Sequence, residues 1–270
     1  MNVIAVVNTK GGVGKTTLAT QFLPLFSKDN ESVSVFELDN NNLTNIPNSK
    51  AITFKNLKTN KTGDLISDIT MDELLGDNNL KIIDCGGGDD TKVVLSSFKK
   101  YDIKGIKYII PINDDIEQTK NMLDTIELIR ENDKESKIYV LLNRCNNLNE
   151  EDIANQFIAI FGSEKYGIKP LKKLDIEGFL YVPTTPLFGI LKSIYGTTIK
   201  DVIPEAIKLT KDAEKTRIKF LEDAKAQAKK EKRENDKEYI KKVFSENMAW
   251  YAFAKDILEL EKTLKTYNGL

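Results

Sequence analysis

The sequence predicts an α/β fold, in which a mostly parallel, twisted sheet is flanked by helices and followed by a C-terminal helical extension. Apolar, β-rich runs alternate with helical stretches as far as about residue 203. A glycine-rich loop lies between the first strand and the first helix, and a lysine-rich segment without further proline follows Pro204. We therefore predict an α/β domain over residues 1–203. Residues 204–270 are predicted to form a basic helix and then an amphipathic helix, packed on the same domain.

Six apolar runs have the length and composition of buried parallel strands. They lie at Asn2–Val7, Ser32–Leu38, Lys81–Asp84, Tyr108–Pro111, Ile138–Asn143 and Phe179–Val182. Residues 40–60 are rich in Asn, Thr and Lys and show little periodicity, so they indicate a loop region. A short strand at Ala51–Phe54 is a further candidate within this region.

Helical spacing of apolar residues predicts three helices between these strands. They lie at about Lys15–Lys28, Ile116–Asn132 and Glu150–Phe161. Pro24 falls inside the first of these, so we expect a kink or an early end there. Pro204 is a candidate helix start, and the residues from Tyr239 onward predict the amphipathic helix.

The composition excludes several kinds of chemistry. The chain contains no histidine, which excludes Ser-His-Asp and Cys-His catalysis and leaves few ligands for a structural zinc ion. The two cysteines, Cys85 and Cys145, predict reduced thiols on or near buried strands. No apolar run reaches the roughly 18–20 residues that span a bilayer. The short apolar N-terminus indicates a strand and not a signal peptide, so we expect a cytoplasmic protein.

The loop from Asn8 to Thr17 has the residues needed to bind a chain of phosphates. Its glycines let the backbone wrap inward, so that successive N–H groups face the phosphates at the positive end of a helix. Lys15 is predicted to reach the β- and γ-phosphates, and the Thr16 hydroxyl is predicted to bind Mg²⁺. The predicted nucleotide-binding residues of the loop are Gly11, Gly12, Val13, Gly14, Lys15, Thr16 and Thr17.

The loop resembles the "deviant" phosphate loop of the ParA/MinD superfamily, because Lys10 precedes Gly11 and Gly12 and Thr9 stands where the general pattern has glycine. This superfamily of P-loop NTPases also includes the nitrogenase iron protein and the arsenite-pump ATPases. The early lysine of the family reaches across a dimer interface to the partner's nucleotide. The resemblance therefore implies ATP and Mg²⁺ as ligands, a homodimer with ATP sandwiched between its subunits, and a catalytic role in trans for Lys10.

Two carboxylates follow apolar strands, where a nucleotide-hydrolysing site needs them. Asp84 ends the strand Lys81–Asp84 and is predicted to hold Mg²⁺ through water. Asp39 resembles the second residue of the family's Asp-x-Asp, with Glu37 in place of the first. The resemblance implies that Asp39 belongs with Thr16 and Asp84 to the Mg²⁺ site, and that it orients or deprotonates the attacking water.

Further resemblances concern the switch segment and the base pocket. Asn143 resembles the family's adenine-reading asparagine, and Pro183 resembles the proline that lies against the base. The segment Gly86–Gly88 after Asp84 departs from the family's Asp-x-Pro-Pro. We expect this glycine-rich switch to be more flexible than the family's, which affects the rate of hydrolysis.

The resemblance, which covers residues 2–203, is strongest to the ParA-type partition ATPases. It implies slow, partner-stimulated ATP hydrolysis, and non-specific DNA binding by a nucleoid-associated protein. Residues 208–242 contain 13 Lys/Arg and 8 Asp/Glu and favour DNA, although a solvated mixed-charge helix is the alternative. Sequence-specific reading of a centromere is left to a separate ParB-like protein, and no membrane binding is expected. The alternatives are a MinD-like or conjugation ATPase that acts on a membrane or protein client, and a biosynthetic ligase of the same fold.

Overall fold

The structure is a computed structural model that describes residues 2–28, 31–40, 44–46 and 48–270. Met1 of the predicted α/β domain and residues 41–43 and 47 of the predicted loop region lie outside the described residues. The chain divides into two compact units. The first comprises Met1–Thr198 together with Leu264–Leu270, and the second comprises Ile199–Thr263. The domain boundary between residues 203 and 204 stays a prediction.

Seven strands form one sheet in the first unit, and neighbouring strands pair in parallel in the order β3-β2-β4-β1-β5-β6-β7. The strands are β1 Val3–Val6, β2 Val33–Leu38, β3 Ile52–Leu57, β4 Lys81–Cys85, β5 Lys107–Ile112, β6 Lys137–Cys145 and β7 Gly178–Pro183. The predicted parallel α/β fold is thereby confirmed. The candidate strand at Ala51–Phe54 is confirmed as β3, which pairs with β2 along its whole length.

The helices are α1 Lys15–Thr17, α2 Thr62–Leu74, α3 Asp89–Lys100, α4 Ile116–Asn132, α5 Glu150–Gln156, α6 Ile158–Phe161, α7 Leu187–Gly189, α8 Ile199–Thr210, α9 Ala213–Lys230 and α10 Lys237–Tyr267. The prediction for α4 is confirmed. The helix predicted at Glu150–Phe161 is divided into α5 and α6, because Phe157 leaves the helical conformation at φ −102° and ψ 51°. The sequence analysis did not predict α2 or α3.

The first predicted helix is less regular than expected. After α1 the chain continues as a π-helical stretch, Leu18–Phe22, and a 3₁₀ stretch, Leu23–Phe26, so the predicted end at Lys28 is wrong. The expected disturbance at Pro24 is confirmed, because proline has no N–H to donate to an α-helical ladder.

The second unit contains α8, α9 and most of α10. The helix start predicted at Pro204 is wrong, since α8 begins at Ile199 and carries Pro204 inside it. The proline falls in the second turn, where it costs the helix one hydrogen bond while the buried residues Ile199 and Ala206 still hold one face. The basic segment 208–242 is distributed over three helices, and Lys232 at φ 57° lies in the turn between α9 and α10.

A buried apolar cluster on one side of the sheet contains residues of the strands together with residues of α2, α3, α4, α5 and α6. The inner strands β1, β4 and β5 are buried almost throughout, as expected for a parallel sheet covered by helices on both faces. Helix residues of this cluster include Leu65, Ile66, Val94, Phe98, Met122, Ile129 and Ile153. The sheet thus forms a rigid base for the loops that follow its strands.

The carboxyl ends of β1, β2 and β4 lie together at one edge of the sheet. Val6 of β1 and Glu37 of β2 are both aligned with Asp84 of β4, which lies between them in the sheet. The order of connections reverses at β1, whose neighbours are β4 and β5. Open parallel sheets bind ligands outside the strand ends at such a reversal, so this edge is the candidate site.

Candidate phosphate-binding site

The loop between β1 and α1 turns on two glycines in the left-handed region of φ. Gly12 has φ 76° and Gly14 has φ 90°, values that residues other than glycine rarely adopt. A methyl group on Gly14 would also lie 2.7 Å from Nδ2 of Asn143. Gly14 is the residue before α1, so the loop ends at the positive end of a helical segment that continues to Phe26.

Asn8 fixes the entrance of the loop. Its side chain is fully buried, where Nδ2 donates to the carbonyl of Pro111 at 2.7 Å and Oδ1 accepts from the N–H of Lys10 at 2.7 Å. The first bond joins the loop to β5 and the second closes a turn within the loop. The loop is thereby held against β5, the strand beside β1.

Lys15 lies inside the loop and contacts it through its ammonium group. Its Nζ donates to the carbonyls of Lys10 at 3.1 Å and Asn8 at 3.4 Å. Burial lowers the pKa of Lys15, while the charge of Asp84 acts in the opposite direction. A buried ammonium that donates to two carbonyls is suited to bind an anion, because phosphate oxygens compensate its charge more completely.

A cavity of about 260 Å³ brings most of the predicted site residues together. It is lined by Gly11, Gly12, Gly14, Lys15, Thr16, Thr17, Glu37, Asp39, Asp84, Cys85, Gly86 and Gly87. Complete small-molecule pockets usually have roughly 300–1,000 Å³. The cavity therefore has a size suited to phosphate groups and a cation and not to a whole nucleotide.

Asp84 has an incomplete set of partners for a buried carboxylate. It is 1% exposed, and among the described residues its Oδ2 is a buried oxygen without a hydrogen-bond partner. Burial raises the pKa of Asp84 to about 7, the Thr16 hydroxyl lowers it as a hydrogen-bond donor, and the Glu37 carboxylate raises it further. A buried carboxylate with one oxygen unpartnered, beside a hydroxyl, fits Mg²⁺, which prefers oxygen ligands.

The described residues contain no group of three or more His, Cys, Asp or Glu side chains arranged to hold a metal ion. This agrees with a Mg²⁺ site of the phosphate-loop kind, in which one or two protein oxygens suffice because substrate phosphates and water complete the shell. Thr16 and Asp84 are the residues of this cavity that fit such a role. Asp39 lines the same cavity.

The glycine segment, Gly86–Gly88, is held by several hydrogen bonds. Gly86 donates its N–H to the Leu38 carbonyl at 2.8 Å, and Gly88 donates to the Thr9 carbonyl at 2.8 Å. The Thr91 hydroxyl donates to the Gly86 carbonyl at 2.6 Å. The expectation of a flexible segment rested on glycine alone, whereas here the neighbouring loops supply the constraints.

Four of the predicted site residues do not line the cavity. Lys10 is half-exposed and forms an ion pair with Glu117 of α4 at 3.8 Å. Asn143 is buried at a bulge of β6, and its Nδ2 donates to the carbonyl of Val13 at 2.9 Å, so it supports the loop from behind. Pro183 ends β7, opposite Cys145 on β6. Val13 itself is fully buried and contributes through its backbone.

Sequence reasoning missed several residues that hold the site. Asn8 and Thr91 bind the loop and the glycine segment, and Asn40 and Asp90 join the segments after β2 and β4. Glu37, treated only as a replacement, lines the cavity with Asp39 and Asp84. Asn8 and Asn40, polar residues two positions after the ends of β1 and β2, were the available signal, but the sequence does not show which groups they contact. Cys85 and Cys145 are free and buried, as predicted.

Comparison with known proteins gives one family match and several structural similarities. A model of the CobQ/CobB/MinD/ParA nucleotide-binding domain matches residues 4–173. MinD of Aquifex aeolicus in complex with MinC is 16% identical, with a TM-score of 0.48 over 75% of this chain and 88% of that chain. McdA of Cyanothece, solved as a complex of a single-residue variant with ATP, is 13% identical, with a TM-score of 0.44 over 75% and 90% of the two chains.

Cobyrinic acid a,c-diamide synthase of Mycobacterium smegmatis, solved with ADP and magnesium, is 16% identical, with a TM-score of 0.44 over 70% of this chain and 89% of that chain. A search of curated protein sequences found no significant match. The family model covers more than half of the chain, including the phosphate loop and both strand-end carboxylates. The chain therefore belongs to the CobQ/CobB/MinD/ParA family of nucleotide-binding domains.

Proposed function

We propose that this protein is a Mg²⁺-dependent ATPase of the ParA type that binds DNA without sequence preference in its ATP state. The observation that carries the proposal is the cavity that contains Lys15, Thr16, Asp39 and Asp84 below a glycine loop. Cationic, hydroxyl and carboxylate groups in that arrangement suit a polyphosphate with a bound divalent cation.

Each residue of the cavity has a role that follows from its chemistry. The loop N–H groups and Lys15 bind the phosphates, and Thr16 and Asp84 hold Mg²⁺, which when bound neutralises charge on the β- and γ-phosphates. Asp39 orients or deprotonates the attacking water. Asn143 and Pro183 are proposed to contact the adenine, although the amide of Asn143 here donates to Val13.

The proposed active form is a homodimer with ATP between its subunits. Lys10 is half-exposed, and exposed ion pairs contribute little, so its contact with Glu117 is easily exchanged for a phosphate of the partner. We propose a ParB-like partner that stimulates slow hydrolysis, and a nucleoid-associated, cytoplasmic location without membrane binding. No helix among the described residues has the length and hydropathy to span a bilayer.

Nucleotide binding is tested by titrating a fluorescent ATP analogue with and without Mg²⁺. Lys15→Met is expected to weaken binding by about 100-fold, because a charge-assisted contact inside a buried loop contributes about 1.5–3 kcal/mol. Lys172→Met, on an exposed lysine of the first unit, is the matched control and is expected to bind normally. Equal affinity of the three proteins would contradict the proposed site.

DNA binding is tested by fluorescence anisotropy of a random-sequence duplex with ATP, ADP or no nucleotide, at two salt concentrations. We expect salt-sensitive binding with ATP only, and its loss in Lys10→Ala if that lysine acts across the dimer. A sequence-selective footprint by this chain alone, or binding that ignores nucleotide, would contradict the ParA-type function. Turnover well above about one per second would also contradict it.

A second candidate function, action on a protein client, is supported by a groove on the first unit that apolar and polar residues line together. The groove has a volume of about 690 Å³ and lies between α2 and the end of α3. Leu74 and Leu75 nearby are 83% and 77% exposed, and exposed apolar patches often mark interaction sites. The test is a Leu74→Ser/Leu75→Ser variant. If it loses the protein's function in cells while its DNA binding in vitro is unchanged, the result would favour this candidate.

A further inference from the structure

The segments that follow β2 and β4 are joined by a pair of hydrogen bonds between Asn40 and Asp90. The backbone N–H of Asn40 donates to Asp90 Oδ2 at 3.2 Å, and its Nδ2 donates to Asp90 Oδ1 at 2.7 Å. One residue thus supplies a donor to each oxygen of the carboxylate. Hydrogen bonds to an ionised acceptor are about twice as strong as neutral ones.

Thr59 holds the side chain of Asn40 from the other side. Asn40 Nδ2 also donates to Thr59 Oγ1 at 2.7 Å, and Asn40 Oδ1 accepts from the N–H of Thr59 at 3.2 Å. Thr59 is 7% exposed, in the turn between β3 and α2. The amide of Asn40 is therefore fixed between a buried turn and the carboxylate, with both of its polar atoms engaged.

The same carboxylate lies against the glycine segment. A methyl group on Gly86 would come within 2.7 Å of Asp90 Oδ2 and within 3.1 Å of the Leu38 carbonyl. Gly86 can therefore pass between Asp90 and the end of β2 only because it has no side chain. It donates its N–H to that Leu38 carbonyl at 2.8 Å, so the two strand-end segments are joined at two successive points.

The joined segments carry functional groups of the cavity on both sides of the link. Asp39 directly precedes Asn40, and Gly86 and Gly87 lie a few residues before Asp90; all three line the phosphate cavity. Thr91, next to Asp90, donates its hydroxyl to the Gly86 carbonyl and to the Asn8 carbonyl at the entrance of the phosphate loop. Movement of either segment therefore changes the position of the other.

We propose that Asn40 and Asp90 form a clasp, anchored by Thr59, that positions Asp39 and the glycine segment around the phosphate cavity. Both are positioning residues, and neither lines the cavity. As a statement about hydrolysis, the proposal rests on the proposed ATPase function. Because the phosphate loop itself remains intact when the clasp opens, the clasp governs the rate of hydrolysis more than the affinity for ATP.

The test is a swap of the two side chains. Asn40→Asp places two carboxylates together, and Asp90→Asn places an amide donor against the donors of Asn40. The Asn40→Asp/Asp90→Asn double variant restores one amide and one carboxylate with the same net charge. Each single variant is expected to lower kcat for ATP at least about 10-fold while the ATP Kd changes less than about twofold. The double variant is expected to recover most of the lost kcat.

Asp89→Asn is the matched control, since Asp89 is the neighbouring acid in the first turn of α3 and its side chain is 93% exposed. It removes the same helix-terminal charge without touching the clasp, and kcat is expected to stay unchanged. Thr59→Val removes the Oγ1 contact of the anchor and keeps its backbone N–H and both clasp residues, so it replaces a single variant that fails to fold. A wild-type kcat in the single variants would overturn the proposal. So would a double variant whose loss of kcat equals the product of the two single-variant losses.

Amide hydrogen exchange at Gly86 and Gly88 separates this proposal from the ATPase function. Both N–H groups are hydrogen-bonded, to the carbonyls of Leu38 and Thr9, and are expected to exchange faster in the single variants and normally in the swap. If the wild-type protein does not hydrolyse ATP, the proposed function fails, and amide exchange alone then tests whether the clasp exists. Unchanged exchange in the single variants would overturn the clasp even if the wild-type protein hydrolyses ATP as proposed.

Discussion

At the scale of single residues, the phosphate loop illustrates what a contiguous motif reveals. Gly12, Gly14, Lys15 and Thr16 could be predicted because their functions depend on neighbours in the chain. Asn40 and Asp90 could not, because their contact joins positions 50 residues apart and depends on the pairing of β2 with β4. The same holds for Thr91, whose hydroxyl contacts a carbonyl 83 residues away.

Asp84 provides the prediction at this scale. Its pKa rises from 3.8 to about 7 on folding, so the folded chain holds a proton that the unfolded chain releases. The stability of the metal-free protein therefore falls as the pH rises from about 4 to about 7, and the full penalty is present above that range. The pKa difference corresponds to about 4 kcal/mol as an upper limit.

We expect Asp84→Asn to stabilise the metal-free protein, because the amide is buried without the cost of a charge. The gain is expected to be about 2 kcal/mol at about pH 8 and to shrink toward about pH 4, measured by urea unfolding in the presence of a chelator. Asp89→Asn, on an exposed side chain, is the control and should change little. A variant less stable than wild type at every pH would show that the carboxylate is stabilising.

At the scale of elements, apolar periodicity was sufficient to predict a strand or helix that packs against the core through most of its length. The limits of α4 were predicted, and each of the six principal strands was found within a few residues of its prediction. Helices α2 and α3 carry buried apolar residues at helical spacing, Leu65 with Ile69 and Val94 with Phe98, so the sequence held a signal for both that the prediction did not use. That these two helices pack on the sheet became clear only from the structure.

The edge of the sheet gives the prediction at this scale. β7 is an edge strand, and Asn268 pairs with it as a neighbouring strand would. Its Oδ1 accepts from the N–H of Tyr181 at 2.6 Å and its Nδ2 donates to the carbonyl of Tyr181 at 2.9 Å. The side chain is 4% exposed, so these bonds are sheltered from water. A covered edge also protects the sheet against pairing with other chains.

Asn268→Ala is expected to destabilise the protein by about 1–3 kcal/mol, because it leaves both backbone groups of Tyr181 without this partner. Urea unfolding measures the loss, and amide exchange at Tyr181 should become faster. The control is Asn147→Ala, on an exposed asparagine whose amide donates to Asp152. Equal stability of Asn268→Ala and the control would mean that water replaces the amide without cost.

At the scale of the whole molecule, the phosphate loop and the alternation of strands and helices predicted the parallel α/β fold and the family. How the basic residues are distributed in space became visible only from the positions of the helices. The chain has a net charge of −1, yet residues 208–242 carry 13 basic and 8 acidic residues. The structure concentrates four of the lysines in one cleft between α8 and α9 of the second unit. They are Lys208, Lys211, Lys215 and Lys219, around a volume of about 460 Å³.

This cleft gives the last prediction, which concerns where DNA binds. Lys208 pairs with Glu205 and Lys215 with Asp212, so Lys211 and Lys219 are the cleft lysines best placed to contact a DNA backbone. Lys211→Glu/Lys219→Glu is expected to weaken ATP-dependent DNA binding more than about 10-fold. The slope of log K against log salt should fall by about 2, since each lost phosphate contact removes about 0.9.

The matched control is Lys172→Glu/Lys173→Glu, which changes the net charge equally on exposed lysines of the first unit. If binding depended only on net charge, both double variants would lose affinity to the same extent, and the cleft would have no special part. A loss confined to the cleft variant, with ATP binding intact in both, would instead place the DNA on the second unit. Nucleotide and DNA would then bind to different units of the chain, and the proposed homodimer would link the ATP state to DNA binding.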